Sequence, residues 1–458
     1  MKKTLILKEI YRQNRHWTAP AEFFSELATI TFKRKLFSEI LPFLPKRQII
    51  SIVGLRRVGK TILLKQLMRR LMKENDAKAI FFLTFDEAIL PKGVSVADYL
   101  NEYLEKIAPP KGIIYIFFDE IQYARNWQHL IKRYYDTETR IKFIVSGSSS
   151  LFLRKKTTES LAGRIYEFLL PTLSFEEYLE LKKVEDSLLK GYAAATVALG
   201  EEISFTSQRE LFFHQYGSQM EREFETYIKF GQFPEVANEK NAMLVRKYLT
   251  DAVYKKTIEY DIPKIFGVER IDELKFLFQV LSNEAGSLVE TGNIAREVGI
   301  DEKTIKKYFH YFEESFLIYL VYNFSKSIRK SKRLLKKVYL GSPNFMSAFY
   351  DWPQEGEKDY KLGFLAENYC ALLLKKKYEF VSFYRIRKNE IDFLVTNNPA
   401  HLSEHRYIEV KYRESISSKR LNFIARIAEK NGKQFTVVTK NNLKIEKKSA
   451  FIPIWMLK

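Results

Sequence analysis

The sequence predicts an α/β fold organised around a parallel sheet, and three observations lead there. Residues 48–72 read as an apolar strand, a glycine-rich turn and an amphipathic helix in direct succession. From about Lys46 to Lys183, apolar strand-like runs alternate with helical patterns, as parallel strands covered on both faces require. One of those runs delivers two consecutive acids, Asp119 and Glu120, at the carboxyl end where such sheets bind ligands.

The candidate strands are 48–53, 79–85, 112–118, 141–145 and 165–170, preceded by a helical segment over 1–45. The turn after the first strand is Gly54, Leu55, Arg56, Arg57, Val58, Gly59, Lys60 and Thr61, which fits G-x-x-x-x-G-K-(S/T). Its glycines let backbone N–H groups curl around a β-phosphate, and the following helix N-terminus adds a favourable field. Lys60 is expected to reach the β/γ oxygens and Thr61 to ligate Mg²⁺, so the ligand read here is a nucleoside triphosphate. Asp119 is then the metal-side acid and Glu120 the base that deprotonates the attacking water. The fourth strand ends in Ser146, with Gly147 and Ser148–Ser150 behind it. Two readings of Ser146 stand level: a hydroxyl that senses the γ-phosphate, or a cap for the next helix.

Composition narrows the partners. The chain has 458 residues, room for two to four domains, with 46% hydrophobic and 15% aromatic residues, which excludes a disordered chain. Lys and Arg number 76 against 56 Asp and Glu, a net charge of +20 that favours a polyanion, nucleic acid (DNA) first and an anionic membrane surface second. A lysine-rich solvated surface is the plain alternative. Cys370 is the single cysteine, so an intramolecular disulfide and a multi-cysteine zinc site are both excluded. No apolar run approaches the roughly 20 residues of a membrane span. The basic start at Lys2 and Lys3 leads into an apolar stretch broken by Lys8 and Glu9, so no signal peptide is expected and the cytoplasm is.

Beyond the sheet region, 184–268 reads as mostly helical, a lid or connector interrupted at 191–204 and 231–234. Ala295, Gly299 and Ile305 then stand at offsets of about zero, four and ten, as a helix–turn–helix needs for its crossing, turn and anchor. With a strand over 317–324, residues 269–334 read as a winged helix. Lys303, Lys306, Lys307 and His310 fall on its outer face, and a dense basic run covers 326–337. A packing module with a solvated face is the competing reading.

The last third, 335–458, carries a helix with Glu367 among apolar neighbours, a strand pair with Glu390 and Asp392, and a strand with Glu409 and Lys411. The period of two places Glu409 and Lys411 on one face, with Ile408 and Val410 toward the core. Two acids on adjacent strands can hold Mg²⁺ through oxygen, and a neighbouring lysine can orient a nucleophilic water. Pairing of Lys411 with a carboxylate is the structural alternative.

The segments GLRRVGKT, FFDEIQ, VSGSSS, LAGR…LLPTLSFEEYL and GQFPE (231–235) together resemble a group of uncharacterised archaeal and bacterial AAA+ ATPases with a restriction-endonuclease-like C-terminal domain. The resemblance spans nearly the whole chain. It implies ATP binding and hydrolysis by a core over 46–183, and self-association is a further expectation for the chain. It also puts Arg164 at the place of a basic sensor or arginine finger. Carried over, Asp392, Glu409 and Lys411 are the metal and catalytic positions and Glu367 an upstream helical acid. Two positions depart from the group's pattern: Gln232 replaces a glycine, and Ser342 stands where an aspartate is usual. The readings that follow are an ATPase acting on nucleic acid, and a nucleotide-driven switch with an inert nuclease-like domain. A P-loop kinase or transferase ranks last, since no acceptor site is legible.

Overall fold

The computed structural model describes residues 2–85, 94–124, 126–148, 161, 163–204, 206–325, 335–350, 352, 361–398, 404–413, 416 and 418–458. They form two compact units. The first comprises Met1–Pro171 with Lys264–Gly267 and Glu314–Phe316; the second holds the remainder.

In the first unit, strands β1 (Ile49–Val53), β2 (Ile80–Thr84), β3 (Ile114–Asp119), β4 (Ile141–Gly147) and β5 (Ile165–Leu169) make one sheet in the order β2-β3-β4-β1-β5. All neighbours run parallel. Every expected strand is present. Strands β1, β3 and β4 are buried along their whole length, which is why they read as continuous apolar runs. Helices α1 (Lys2–Gln13), α2 (Lys60–Leu71), α3 (Val96–Lys106) and α4 (Trp127–Thr137) belong to the same unit. A reciprocal Ser95–Asp98 capping box starts α3.

Side chains at the end of α1 and just after it cover the open edge of β2. Asn14 donates to the Phe82 carbonyl at 2.9 Å and accepts from the Phe82 N–H at 2.6 Å. Gln13 accepts from Thr84 N–H, and Trp17 donates to the Ile80 carbonyl. This mimics a sixth strand with side-chain amides and blocks edge pairing. At the start of the middle strand, Lys142 donates to the carbonyls of Phe43, Lys46 and Gln48, which ties the segment before β1 to β4.

The second unit begins with helices α5 (Phe175–Leu181), α6 (Asp186–Ala195) and α7 (Ser207–Phe230). Gly191 lies inside α6, so the expected break at 191–204 starts later, at Thr196. The break at Gly231 is real; there α7 ends. After α8 (Ile271–Asn283) and the short strand β6 (Leu288–Val289) come α9 (Thr291–Val298) and α10 (Glu302–Glu314), joined through Gly299 at φ 72°. Strands β7 (Ile318–Asn323) and β8 (Lys336–Leu340) follow. Helix α11 (Leu362–Lys377), β9 (Phe380–Ile386), β10 (Asn389–Thr396), β11 (Arg406–Lys411), α12 (Ser418–Lys430), β12 (Phe435–Thr439), β13 (Lys444–Ile445) and β14 (Ser449–Pro453) complete the unit.

Nine strands form one sheet in the order β13-β14-β12-β11-β10-β9-β7-β8-β6. The sheet therefore runs across the expected joint at 334/335. Strand β8 pairs with β6 and β7, while β7 pairs with β9 in parallel at Tyr322↔Ser382. The reason is plain: β7 has two free edges, and β8 fills only one. Helix α12 closes one face of this sheet over Ile391, Tyr407, Phe435 and Val437. Among the described residues, no helix is long and apolar enough to cross a membrane.

Candidate functional site

The loop from Gly54 to Thr61 leaves the carboxyl end of β1, and two glycines fix its course. Gly54 has φ 153°, and a Cβ there would lie 2.2 Å from the Leu170 carbonyl oxygen. Gly59, at φ 98°, is the cap of α2. Lys60 is buried with its ammonium on the Gly54 carbonyl at 3.1 Å and the Leu55 carbonyl at 2.9 Å. Its ammonium lies 4.0 Å from the Glu120 carboxylate.

The two acids divide their surroundings. Thr61 Oγ1 donates to Asp119 Oδ2 at 2.6 Å. Ser146 donates to the other Asp119 oxygen and accepts from the Glu120 N–H at 3.3 Å. Burial, helped by neighbouring Glu120, pushes the Asp119 carboxyl up. Burial also opposes ionisation of Glu120, but Lys60 and Arg56, with hydrogen bonds from Gln122 and Ser148, bring it net below the usual range. Glu120 sits in the left-handed region at φ 51°, which turns its side chain off the strand axis. The structure thus brings Lys60, Thr61, Asp119, Glu120 and Ser146 together. Ser146 bonds the acids directly; the segment it would cap, 149–160, lies outside the described residues.

Arg164 is not part of this group. It precedes β5 at the amino end of the sheet, roughly 15 Å of strand away from the loop. Its guanidinium pairs with Asp136 at 3.0 Å and lies over the Tyr135 ring. The expectation that Arg164 meets the phosphates is not met within one chain, because a residue at a strand's start faces away from its carboxyl end.

Further side chains support the loop and the acids. Gln122 donates to both Glu120 and Ser148. Arg56 donates to the Tyr123 hydroxyl at 2.6 Å. Arg34, buried, bonds the Val58 carbonyl of the loop from 24 residues upstream. Arg56 belongs to the phosphate-loop motif and Gln122 stands two residues past the acids, whereas Arg34 lies near no recognisable signal.

The second candidate site lies on β10 and β11. Lys411 pairs with Glu409 at 2.5 Å and with Asp392 at 3.4 Å. Asp392 accepts from the Val410 N–H at 2.8 Å, and its own N–H donates to Glu409. Burial first, and Asp392 second, push Glu409 up to about 8. The expected trio is therefore assembled, with the lysine seated on the carboxylates. Ile408, Val410 and Glu409 are all buried, because the sheet is covered on both faces. Glu367 does not join that trio. It accepts from Lys337 at 2.9 Å and from the Tyr339 hydroxyl at 2.7 Å, and Lys337 also pairs with Glu390 at 2.6 Å. Among the described residues, no group of three or more His, Cys, Asp or Glu side chains is arranged to hold a metal ion.

The two departures from the family pattern meet each other. Ser342 Oγ donates to the Gln232 side-chain oxygen at 2.6 Å, both buried. Asn344 fastens the same turn to the Gln232 N–H and to the last carbonyls of α7. Position 342 thus makes a buried structural bond in this chain. The basic residues at 326–334 lie outside the described residues. Lys303, Lys306 and Lys307 are exposed on α10 as expected, with Lys306 bridged to Glu302, while His310 is half-buried.

A phosphate loop after a central parallel strand, with paired acids at the end of another, defines a nucleotide-binding AAA-type core. Residues 46–179 match the family described as AAA domain, 221–354 a domain of unknown function (DUF8612), and 362–457 a domain of unknown function (DUF4143). This chain carries an AAA domain together with a DUF4143 domain, an arrangement consistent with an AAA-type family of archaeal and bacterial proteins. Similar proteins include two from Methanocaldococcus jannaschii, both named as uncharacterised. One is 28% identical over 75% of this chain and 71% of its own length. The other is 26% identical over 89% and 84%. A third, from Haemophilus influenzae, is 24% identical over 79% and 83%. Among solved structures, the Aeropyrum pernix Orc1 protein in complex with DNA is 14% identical, with TM-score 0.31 over 69% of this chain and 89% of that one. The S. cerevisiae Hsp104–ADP complex is 14% identical, with TM-score 0.31 over 62% and 40%.

Proposed function

We propose that this protein is a Mg²⁺-dependent ATPase whose turnover is coupled to nucleic acid, DNA foremost. The observation that carries the reading is the 2.6 Å bond from Thr61 to Asp119, with Lys60 and Glu120 beside it. Thr61 and Asp119 fit Mg²⁺ as paired hard-oxygen donors. Bound there, the ion neutralises charge on the phosphoryl oxygens. Lys60 exchanges its loop carbonyls for β/γ-phosphate oxygens. Glu120, kept ionised, accepts the proton of the attacking water, and Gln122 and Ser148 hold its orientation. Ser146 links the two acids and carries the state of one to the other. Arg164 acts in this scheme only on the nucleotide of a neighbouring copy, which makes self-association part of the reading.

The layout proposed is a helical segment at 1–45, the ATPase core at 46–183, a helical lid at 184–268, a winged helix at 269–334 and a restriction-endonuclease-like domain at 335–458. Support for nucleic acid comes from the net charge of +20 and the exposed lysines of α10. Asp392 and Glu409 are the metal positions of the last domain and Lys411 its catalytic lysine.

One observation favours a second reading. Lys411 already satisfies both carboxylates, so the C-terminal domain serves as an inert binding module under a nucleotide-dependent switch. ATP turnover, measured with and without duplex DNA in Mg²⁺ and in Mn²⁺ and scored also for nicking, separates the two. Stimulation by DNA that vanishes in Lys60→Ala, with binding kept and turnover lost in Glu120→Gln, supports the first. Turnover indifferent to DNA, with no nicking, leaves the switch.

A further inference from the structure

Arg34 stands outside every motif of the sequence, yet it is the buried guanidinium that grips the phosphate loop. It caps the short helix Lys35–Ile40 with extended backbone and is 6% exposed. One terminal nitrogen donates to the Val58 carbonyl at 2.7 Å, and the other donates to the Pro171 carbonyl at 2.8 Å, just past β5. Two residues earlier, the Phe32 carbonyl accepts from Gln66 of α2 at 2.9 Å. The stretch 32–34 is thus bonded to the loop, to the helix that follows the loop, and to the end of the neighbouring strand.

We propose that Arg34 is a positioning residue for phosphate recognition, fixing the Val58–Gly59 peptide plane before nucleotide arrives. The inference rests on nucleotide binding at this loop. In a trans peptide the carbonyl and the following N–H point in opposite directions. Holding the Val58 carbonyl on Arg34 therefore turns the Gly59 N–H to the far side, where the phosphate is received. Gly59 has no Cβ and sits at φ 98°, so nothing in the residue itself prevents that plane from rotating. Rotated, it would present a carbonyl oxygen to an anion. A guanidinium suits the task because it keeps its charge and spans two acceptors in a fixed fork. Lysine reaches one.

The test uses the full chain as wild type, Arg34→Met, Arg34→Lys and, as a loop control, Lys60→Ala. Affinities for fluorescent ADP, ATP and AMP analogues, ATPase KM and kcat, and the melting temperature without nucleotide are measured. A lost charge-assisted bond predicts about 10-fold or more weaker ADP and ATP binding in Arg34→Met. KM for ATP should rise in proportion, kcat stay within about twofold, and AMP affinity hold, since AMP lacks the β-phosphate. Arg34→Lys should lose about threefold or more on ADP, and it carries the test if the methionine variant fails to fold. Unaltered ADP affinity in Arg34→Lys, or in a folded Arg34→Met, overturns the proposal. So does an equal loss for AMP and ADP, or a kcat that falls while KM stays, either of which marks a general disturbance. Wild type that binds no better than Lys60→Ala would overturn the nucleotide reading along with this one, whereas tight binding indifferent to Arg34 sinks this one alone.

Discussion

Lowering the pH from 7 to 5 should loosen the N-terminal segment through one side chain, His16. It is 1% exposed, its Nε2 bonds the Ile80 carbonyl at 2.9 Å, and the Phe23 and Trp17 rings pack beside it. Its Nδ1 is buried without a hydrogen-bond partner among the described residues. Burial pushes His16 down to about 4, against about 6.5 in the unfolded chain. The folded segment thus holds a neutral ring that the open segment protonates first. This contribution is fully present above pH 6.5 and is lost as pH falls toward 4: about 2 kcal/mol at pH 5 and about 3 kcal/mol at pH 4. About 0.2 kcal/mol is already lost at pH 7, so where opening is fast relative to cleavage the remaining difference of about 1.8 kcal/mol makes proteolysis of residues 1–18 about 20-fold faster at pH 5. His16→Gln has no charge to gain, so the ratio of wild-type to variant cleavage rates, taken at each pH, cancels the protease's own pH dependence. That ratio should climb about 20-fold between pH 7 and pH 5. A ratio flat within about threefold would refute the linkage.

Lys142 donates to three carbonyls, those of Phe43, Lys46 and Gln48, and burial pushes its ammonium down to about 7. Lys142→Met should lower the melting temperature by about 5–10 °C, since three carbonyls lose a donor; a rise on calorimetry would mean that burying the charge costs more than the bonds return. Gly54→Ala, with its Cβ 2.2 Å from the Leu170 oxygen, should abolish the thermal shift produced by ADP, and a preserved shift would contradict the close approach. Lys337→Met leaves Glu367 and Glu390 without their shared cation and should cost about 3–5 kcal/mol in denaturant unfolding. Adding Glu367→Gln to it should recover part of that loss, and no recovery would show that the charges are not what Lys337 holds.

The parts of this molecule that were legible in the sequence are those whose causes are local. The phosphate loop depends on residue types within eight positions, and buried parallel strands announce themselves as apolar runs. Asp119 and Glu120 were found because strand polarity fixes where acids are useful. What escaped were long-range pairings with no periodic trace. Asn14 and Phe82 stand 68 positions apart, Lys337 and Glu367 stand 30 apart, and neither spacing carries a pattern. Ser342 bonds Gln232 across 110 positions, a pairing that leaves no trace in the sequence. The Asp392–Glu409–Lys411 trio was legible as a set because strand alternation predicts faces. Whether the lysine would sit on the acids was a matter of rotamers, which alternation leaves open.

The pairing of β7 with both β8 and β9 bears on how this chain can be inherited. A genetic exchange that moved only the residues after 334 would carry β8 away from β6 and β7 and leave β9 with a bare edge. Such a fragment would arrive in a new host protein sticky and without Tyr322 and Asn323 to pair with. Cut anywhere between β7 and β9, the sheet would thus expose backbone donors and acceptors on both pieces, so the lysine-bearing helix α10 and the acid-bearing strands are tied into one folded unit by main-chain pairing.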